Sequence, residues 1–519
     1  MQGGGSVLPC AGFSLDQRGD ARPVTTAITD YYDAGTFERI KAFADTRETP
    51  FLVVDTASVG QQYDELLTTF PFASIYYAVK ANPAPEIIAL LRDRGSCFDI
   101  ASIYELDRVM SLGVGPERVS YGNTIKKARD IRYFYERGVR MFATDSEADV
   151  RNIAKAAPGS KVYVRVLTEG SQTADWPLSR KFGCQTDMAM DLMIMARNLG
   201  LEPYGVSFHV GSQQRDIGTW DSAIAKVKVI FERLLEEDGI RLKMINLGGG
   251  FPANYLTRAN ELATYASEIT RYLREDFGNE LPEIILEPGR SLVSNAGVLV
   301  SEVVLISRKS RTGLNRWVYV DVGKFSGLIE TLGESIKYPV YSEKRGELEE
   351  VVLAGPTCDS ADIMYEDFMY PLPLNLAIGD RLYWLSTGAY TTSYSAVEFS
   401  VNQTSAAPSG TKMIGGTVNG AFTNGNQTSN GSQRHTAPAT STLTTRSKAP
   451  SVYSLKPPRF RSSRKPISML SNMQPMTVRC GHVAGTASSM VTANTGTNTT
   501  PAPIGLPMLA SAPTACARP

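Results

Sequence analysis

Eight short apolar runs, each followed by a helical pattern, occupy residues 74–288 and leave few folds open. They are SIYYAVK (74–80), CFDIAS (97–102), RVSYGN (118–123), RMFATD (140–145), KVYVRVL (161–167), YGVSFHV (204–210), KMINLGG (243–249) and EIILEP (283–288). Each is apolar at its centre and turns polar or Gly-rich at its C-terminal end. Amphipathic stretches such as APEIIALLRDRG (84–95) and DSAIAKVKVIFERLLEEDG (221–239) lie between them. Eight β–α units in this length predict an α/β chain built on a (β/α)8 TIM barrel over residues 70–295. An open doubly wound sheet is the alternative, but such sheets more often have about five or six strands.

After Arg290 strands dominate: VLVSEVVLIS (298–307), RWVYVDVG (316–323), EEVVLAGPT (349–357) and DRLYWLSTG (380–388). These predict a mostly antiparallel β domain, made of 296–398 together with 26–69, where FLVVDT (51–56) reads as a strand. Residues 1–25 are Gly-rich and aperiodic, and 399–519 are dominated by small polar residues. Neither can bury enough apolar surface to offset chain entropy, so both are expected to be disordered. The tail is also basic. It holds four Lys, seven Arg and no Asp or Glu, giving +11, while residues 1–398 hold the other 42 basic and all 53 acidic residues, giving −11.

The overall charge of +0 gives no reason to expect nucleic-acid or membrane-surface binding. Six scattered cysteines without a C-x-x-C pair argue against a metal site or a disulfide framework. No apolar stretch approaches the roughly 20 residues of a membrane span. The N-terminus lacks a basic segment followed by an apolar core, so a cytoplasmic location is the default.

In such barrels chemistry gathers where the strands end. Lys80 closes the first run. A lysine at a strand end often only reaches solvent, but burial there would lower its pKa and suit it to Schiff-base chemistry. The seventh run ends in Gly248-Gly249-Gly250 and the eighth in Glu287-Pro288-Gly289-Arg290. Loops after strands seven and eight commonly hold a phosphate, and glycines let backbone N–H groups approach it. His209, the only histidine before the tail, ends the sixth run. It could be a satisfied core residue or a flat ring that stacks on a flat cofactor.

Taken together, YYAVKAN (76–82), FDIAS (98–102), SRKFGC (179–184), SFHVGS (207–212), LGGGFP (247–252), EPGR (287–290), DVGKFSGL (321–328), GPTCDSAD (355–362) and GAYTTSYS (388–395) resemble the alanine-racemase-fold decarboxylases that use pyridoxal 5'-phosphate (PLP), fold type III. The ornithine decarboxylase branch fits best, with lysine, diaminopimelate and arginine decarboxylases beside it. The resemblance spans about residues 30–398.

The resemblance implies that Lys80 bonds covalently to PLP and that His209 stacks on its face. Asp99, Glu105 and Arg165 would line the pocket. Ser212, Gly250, Gly289, Arg290 and Tyr390 would hold the phosphate, and Glu287 would partner the pyridine nitrogen. Cys358 matches a cysteine that a second subunit supplies as proton donor. Asp359 and Asp321 match substrate-binding carboxylates, with Asp359 on the distal amine. A homodimer with shared active sites, acting on a basic amino acid, is therefore expected. The chain departs from the family after Tyr394-Ser395-Ala396: where Phe-Asn-Gly-Phe is usual, it has Phe399-Ser400-Val401-Asn402. A regulatory homologue that turns nothing over is the rival expectation. Retention of Lys80, His209, Glu287, Arg290, Cys358 and Tyr390 argues against it.

Overall fold

Strand β1 (Phe51–Asp55) is buried along its whole length. Its last residue starts the next element. The Asp55 carboxylate accepts from Ala57 N and Ser58 Oγ, both at 3.0 Å, and so caps the helix Thr56–Thr69. In this computed structural model the described residues are 26–168, 173–177 and 181–396, with 13–15, 21–23, 399 and 411–414.

Eight strands follow: β2 (Ala73–Ala78), β3 (Cys97–Ile100), β4 (Val119–Tyr121), β5 (Met141–Thr144), β6 (Lys161–Arg165), β7 (Glu202–Ser207), β8 (Met244–Asn246) and β9 (Glu283–Leu286). They pair in parallel in chain order, and β9 returns to β2 to close the barrel. The closed barrel inferred from the alternation is thus the one the chain forms. Local signals fix the helix ends. The helix Gly218–Asp238 stops at Gly239, whose φ of +66° suits glycine and few other residues.

Tyr76, Met141, Ala143, Tyr163, Tyr204, Met244 and Ile285 form one buried cluster on the barrel strands. Two of its three phenols are satisfied by neighbours: Tyr163 shares a hydrogen bond with Ser120 at 2.8 Å, and Tyr204 donates to Glu283 at 2.5 Å. The interior is therefore packed, which confines chemistry to the rim where the strands end.

The chain then builds a second sheet from β10 (Gly297–Arg308), β11 (Arg316–Val320), β12 (Val340–Ser342), β13 (Leu348–Ala354), β14 (Ile363–Pro373) and β15 (Arg381–Leu385). Their order is β12-β15-β10-β11-β13-β14, antiparallel except for β11 with β13. The pattern did not single out β12 or β14: β12 has three residues, and β14 carries two prolines and two acids. Strand β1 pairs antiparallel with β10, Val54 opposite Gly297 and Phe51 opposite Val300. The sheet thus joins chain from before and after the barrel. The helix Ala34–Ala44 covers it, burying Phe37, Ile40 and Ala44 with Phe51, Val53, Val298 and Tyr383. Full burial of a side chain such as Ile40 contributes about 1.5–3 kcal/mol.

Within the expected N-terminal disorder, Phe13–Leu15 pairs antiparallel with Ala21–Pro23. Within the expected tail, Thr411–Ile414 runs parallel to β1, and the Phe399 ring lies 4.4 Å from that of Phe325. The rest of both segments lies outside the described residues. Among those described, no helix is long and apolar enough to cross a membrane.

Candidate active site

Lys80 sits in a single 3-10 turn, Val79–Ala81, where β2 ends. Its Nζ lies 3.0 Å from Asp99 Oδ2, and Asp99 follows Phe98 on the adjacent β3. The Lys80 side chain is 49 % exposed because it enters the open rim, whereas Asp99 is 4 % exposed. The expectation that burial lowers the Lys80 pKa is reversed. Burial does act in that direction, but the charges of Asp99, Tyr390 and Glu287 outweigh it and hold the ammonium above its ordinary range. The second Asp99 oxygen, Oδ1, is buried without a hydrogen-bond partner.

Glu287 follows β9. Its pKa is pushed up to about 7, by burial first and by Asp99 second, against the pull of Lys80, an Asn246 hydrogen bond and Arg165. Arg165 ends β6 with its guanidinium 5.1 Å from the Phe182 ring, and burial lowers its pKa. Glu105 is also pushed up by burial, although Ala101 N donates to it at 2.6 Å. His209 Nδ1 accepts from Gly211 N at 3.0 Å. Burial, then Arg165 and Lys80, hold its pKa well below the usual value, so the ring is neutral.

The glycines leave a cradle that side chains would fill. Gly250 has φ +96°, and a Cβ on it would lie 2.6 Å from Gly211 O. A Cβ on Gly289 would meet the Cβ of Ala81 at 2.9 Å and Tyr390 Oη at 3.2 Å. Tyr390 itself has φ +54°, rare for a bulky residue and costing about 1–3 kcal/mol. Its N–H donates to Ala81 O at 2.8 Å, which ties it to the lysine turn. Its phenol is pushed up to about 12 by burial.

Arg290 is 3 % exposed and already engaged. Nε donates to Ser212 Oγ (3.1 Å), Nη1 to Tyr255 Oη (2.7 Å) and Glu330 Oε2 (2.7 Å), and Nη2 to Glu330 Oε1 (2.5 Å). The resemblance implies that Arg290 helps to hold the phosphate. Here most of its fork is turned to Glu330, so it braces Ser212 and the cradle. Sequence reasoning missed Glu330, which is 1 % exposed. No local pattern marks it, because its partner is 40 residues away.

Cys358, Asp359 and Asp321 do not join this cluster. Cys358 and Asp359 are exposed on the turn between β13 and β14. Asp359 Oδ1 accepts from Ala361 N at 2.9 Å. Among the described residues neither bonds to the Lys80 group. The buried Asp362 shapes the turn by accepting from Lys324 N (2.8 Å) and Thr357 Oγ1 (2.7 Å). Asp321, which the resemblance implies is a substrate carboxylate, lies just past β11, accepts from Glu302 N at 2.8 Å and is 6 % exposed. Of SRKFGC, Ser179 and Arg180 lie outside the described residues. No group of three or more His, Cys, Asp or Glu among those described could hold a metal ion.

Residues 56–294 match the family model described as "Pyridoxal-dependent decarboxylase, pyridoxal binding domain". The lysine/ornithine decarboxylase of Selenomonas ruminantium is 34 % identical over 363 residues, covering 70 % of this chain and 90 % of that protein. The chain belongs to the PLP-dependent ornithine/lysine/arginine decarboxylases. The ornithine decarboxylase of Schizosaccharomyces pombe is 31 % identical over 353 residues, covering 66 % of this chain and 79 % of that one. A solved structure titled SrLDC in complex with PLP and cadaverine superposes with a TM-score of 0.64 at 30 % identity, covering 73 % of this chain and 93 % of that one. This decarboxylase is a PLP-dependent carboxy-lyase. The residues present fit that cofactor: a rim lysine, an orphaned buried carboxylate oxygen beside it, and a glycine cradle braced by Arg290.

Proposed function

We propose that this decarboxylase converts L-ornithine to putrescine and CO2, with L-lysine to cadaverine as a slower reaction. The observation that carries the reading is one barrel rim on which Lys80 is paired with Asp99 at 3.0 Å, beside Glu287 and the neutral His209. PLP supplies an acceptor for the electron pair released when the Cα–carboxylate bond breaks. Glu287 keeps a proton on the cofactor's pyridine nitrogen, and Lys80 holds the cofactor covalently. The uncharged His209 ring offers a flat face without adding charge. Gly250, Gly289, Ser212 and Tyr390 take the phosphate, with Arg290 fixing Ser212. Arg165 and Asp99 flank the lysine.

Cys358 and Asp359, exposed in one chain, are available to a second chain's rim. There the Cys358 thiol delivers the proton that replaces the carboxylate at Cα, and the Asp359 carboxylate receives the distal ammonium. The short aspartate suits a simple diamine better than a guanidinium or a second amino-acid head, which favours ornithine and lysine over arginine and diaminopimelate. A homodimer follows from this arrangement.

Purified protein supplied with PLP and each of ornithine, lysine, arginine and diaminopimelate in turn decides the substrate. The expected result is the highest kcat/KM for ornithine. A higher value for any other substrate overturns the assignment, and no turnover of any of the four returns the regulatory homologue.

A further inference from the structure

Glu287 is met by one uncharged side chain whose orientation is forced. Asn246 ends β8 and is 1 % exposed. Its Oδ1 accepts from Gly248 N at 2.8 Å, and its Nδ2 donates to Glu287 Oε1 at 2.5 Å. A backbone N–H can only donate, so the amide oxygen must stay with Gly248. Turning the amide over would set two donors together at one end and two oxygens together at the other. The backbone repeats the tie: Leu247 N donates to Ile285 O at 2.9 Å and Glu287 N to Gly248 O at 2.7 Å.

We propose that Asn246 is a positioning residue that gives the two oxygens of Glu287 different tasks. An amide NH2 offers only protons, so Oε1 can only accept. Any proton on Glu287 therefore resides on Oε2, the oxygen left for the cofactor's pyridine nitrogen. The same bond favours the carboxylate against burial and Asp99, working alongside Lys80 and Arg165, while the Tyr163 phenol feels the Glu287 charge. This rests on the reading of Glu287 given above.

The test is an infrared titration of the Glu287 carboxyl band in the full-length, cofactor-free protein, the band being assigned by its loss in Glu287→Gln. Asn246→Ala removes the donor and is expected to move the midpoint up by about one pH unit. Asn246→Asp keeps the size and the acceptor for Gly248 but substitutes an acid for the donor. The two acids should then share a proton, which raises the midpoint by more than about one unit. If Asn246→Ala does not fold, the isosteric variant carries the test. With PLP bound, both variants are expected to lower kcat while KM for the amino acid holds. An unmoved midpoint in Asn246→Asp overturns the proposal even if Glu287→Gln is inactive. Full turnover by Glu287→Gln overturns instead the reading of Glu287 on which it rests, whatever the titration gives.

Discussion

Asp99 holds the Lys80 ammonium at 3.0 Å through one oxygen and keeps the other buried and unpartnered. The carboxylate is thus the strongest single influence keeping the nucleophile charged. An amine must lose its proton before it attacks the cofactor's aldehyde. Asp99→Asn should therefore lower the Lys80 pKa. Covalent capture of PLP by the cofactor-free protein, followed by visible absorbance, should become fast at lower pH than in the wild type. An unchanged pH profile would show that Asp99 does not set the charge of Lys80.

Lys80→Ala should abolish the visible absorption of covalently held PLP and reduce turnover by about 10³-fold or more, because the amine is gone. Near-wild-type turnover would mean that another group holds the cofactor.

Glu287→Gln should reduce kcat by about 10²-fold while changing PLP affinity little, since its role is to stabilise charge that develops during bond breaking. It also has a stability signature. A carboxyl raised from 4.5 to about 7 on folding stabilises the protonated folded form below pH 4.5. That contribution is lost as pH rises through about 7. The cofactor-free wild type should lose melting temperature relative to Glu287→Gln between those values, and parallel melting curves across that window would contradict the shift.

The Arg290–Glu330 pair should be costly to break. Both side chains are at most 3 % exposed. Removing one partner of a buried pair costs about 3–5 kcal/mol, because the other charge is left uncompensated. Glu330→Ala should show that loss in urea unfolding and should also weaken PLP binding, as Ser212 loses its brace. A loss below about 1 kcal/mol, the range of exposed pairs, would show that water reaches the arginine.

Cys358 and Lys80 should complement one another across a dimer. Neither Lys80→Ala nor Cys358→Ala alone should be fully active. Mixed and allowed to exchange, they should recover up to about a quarter of wild-type activity, the statistical share for one intact site in half the dimers. Absence of recovery despite confirmed exchange would place Cys358 and Lys80 of one chain in the same site.

The barrel was legible because its signal is local and repeated. Each of the eight runs lies on or beside one strand, and Lys80, His209 and Glu287 stand where those runs turn polar. What was not legible depends on long-range pairing. Strand β14 is hidden by Pro371 and Pro373, and Glu330 owes its importance to a partner on another element. Asn246 stands inside the seventh run with nothing local to mark it; its role needs the register of β8 beside β9. A motif match also says nothing of where a carboxylate points: the bond from Glu302 N to Asp321 depends on a partner 19 residues away. The Lys80 shift ran against expectation because burial was weighed without the acids that share the rim.

The pairing of β1 with β10 sets a timetable for synthesis. Val54 finds its partner in Gly297, which the ribosome adds 243 residues later. At about 5–20 residues per second that is a wait of roughly 12–50 s. Throughout it the apolar edge Phe51–Val54 has no β10 to pair with, while the barrel is completed strand by strand. The sheet's founding strand is thus made first and seated late, and the interval between is when a nascent chain of this decarboxylase is most exposed to pairing with the wrong neighbour.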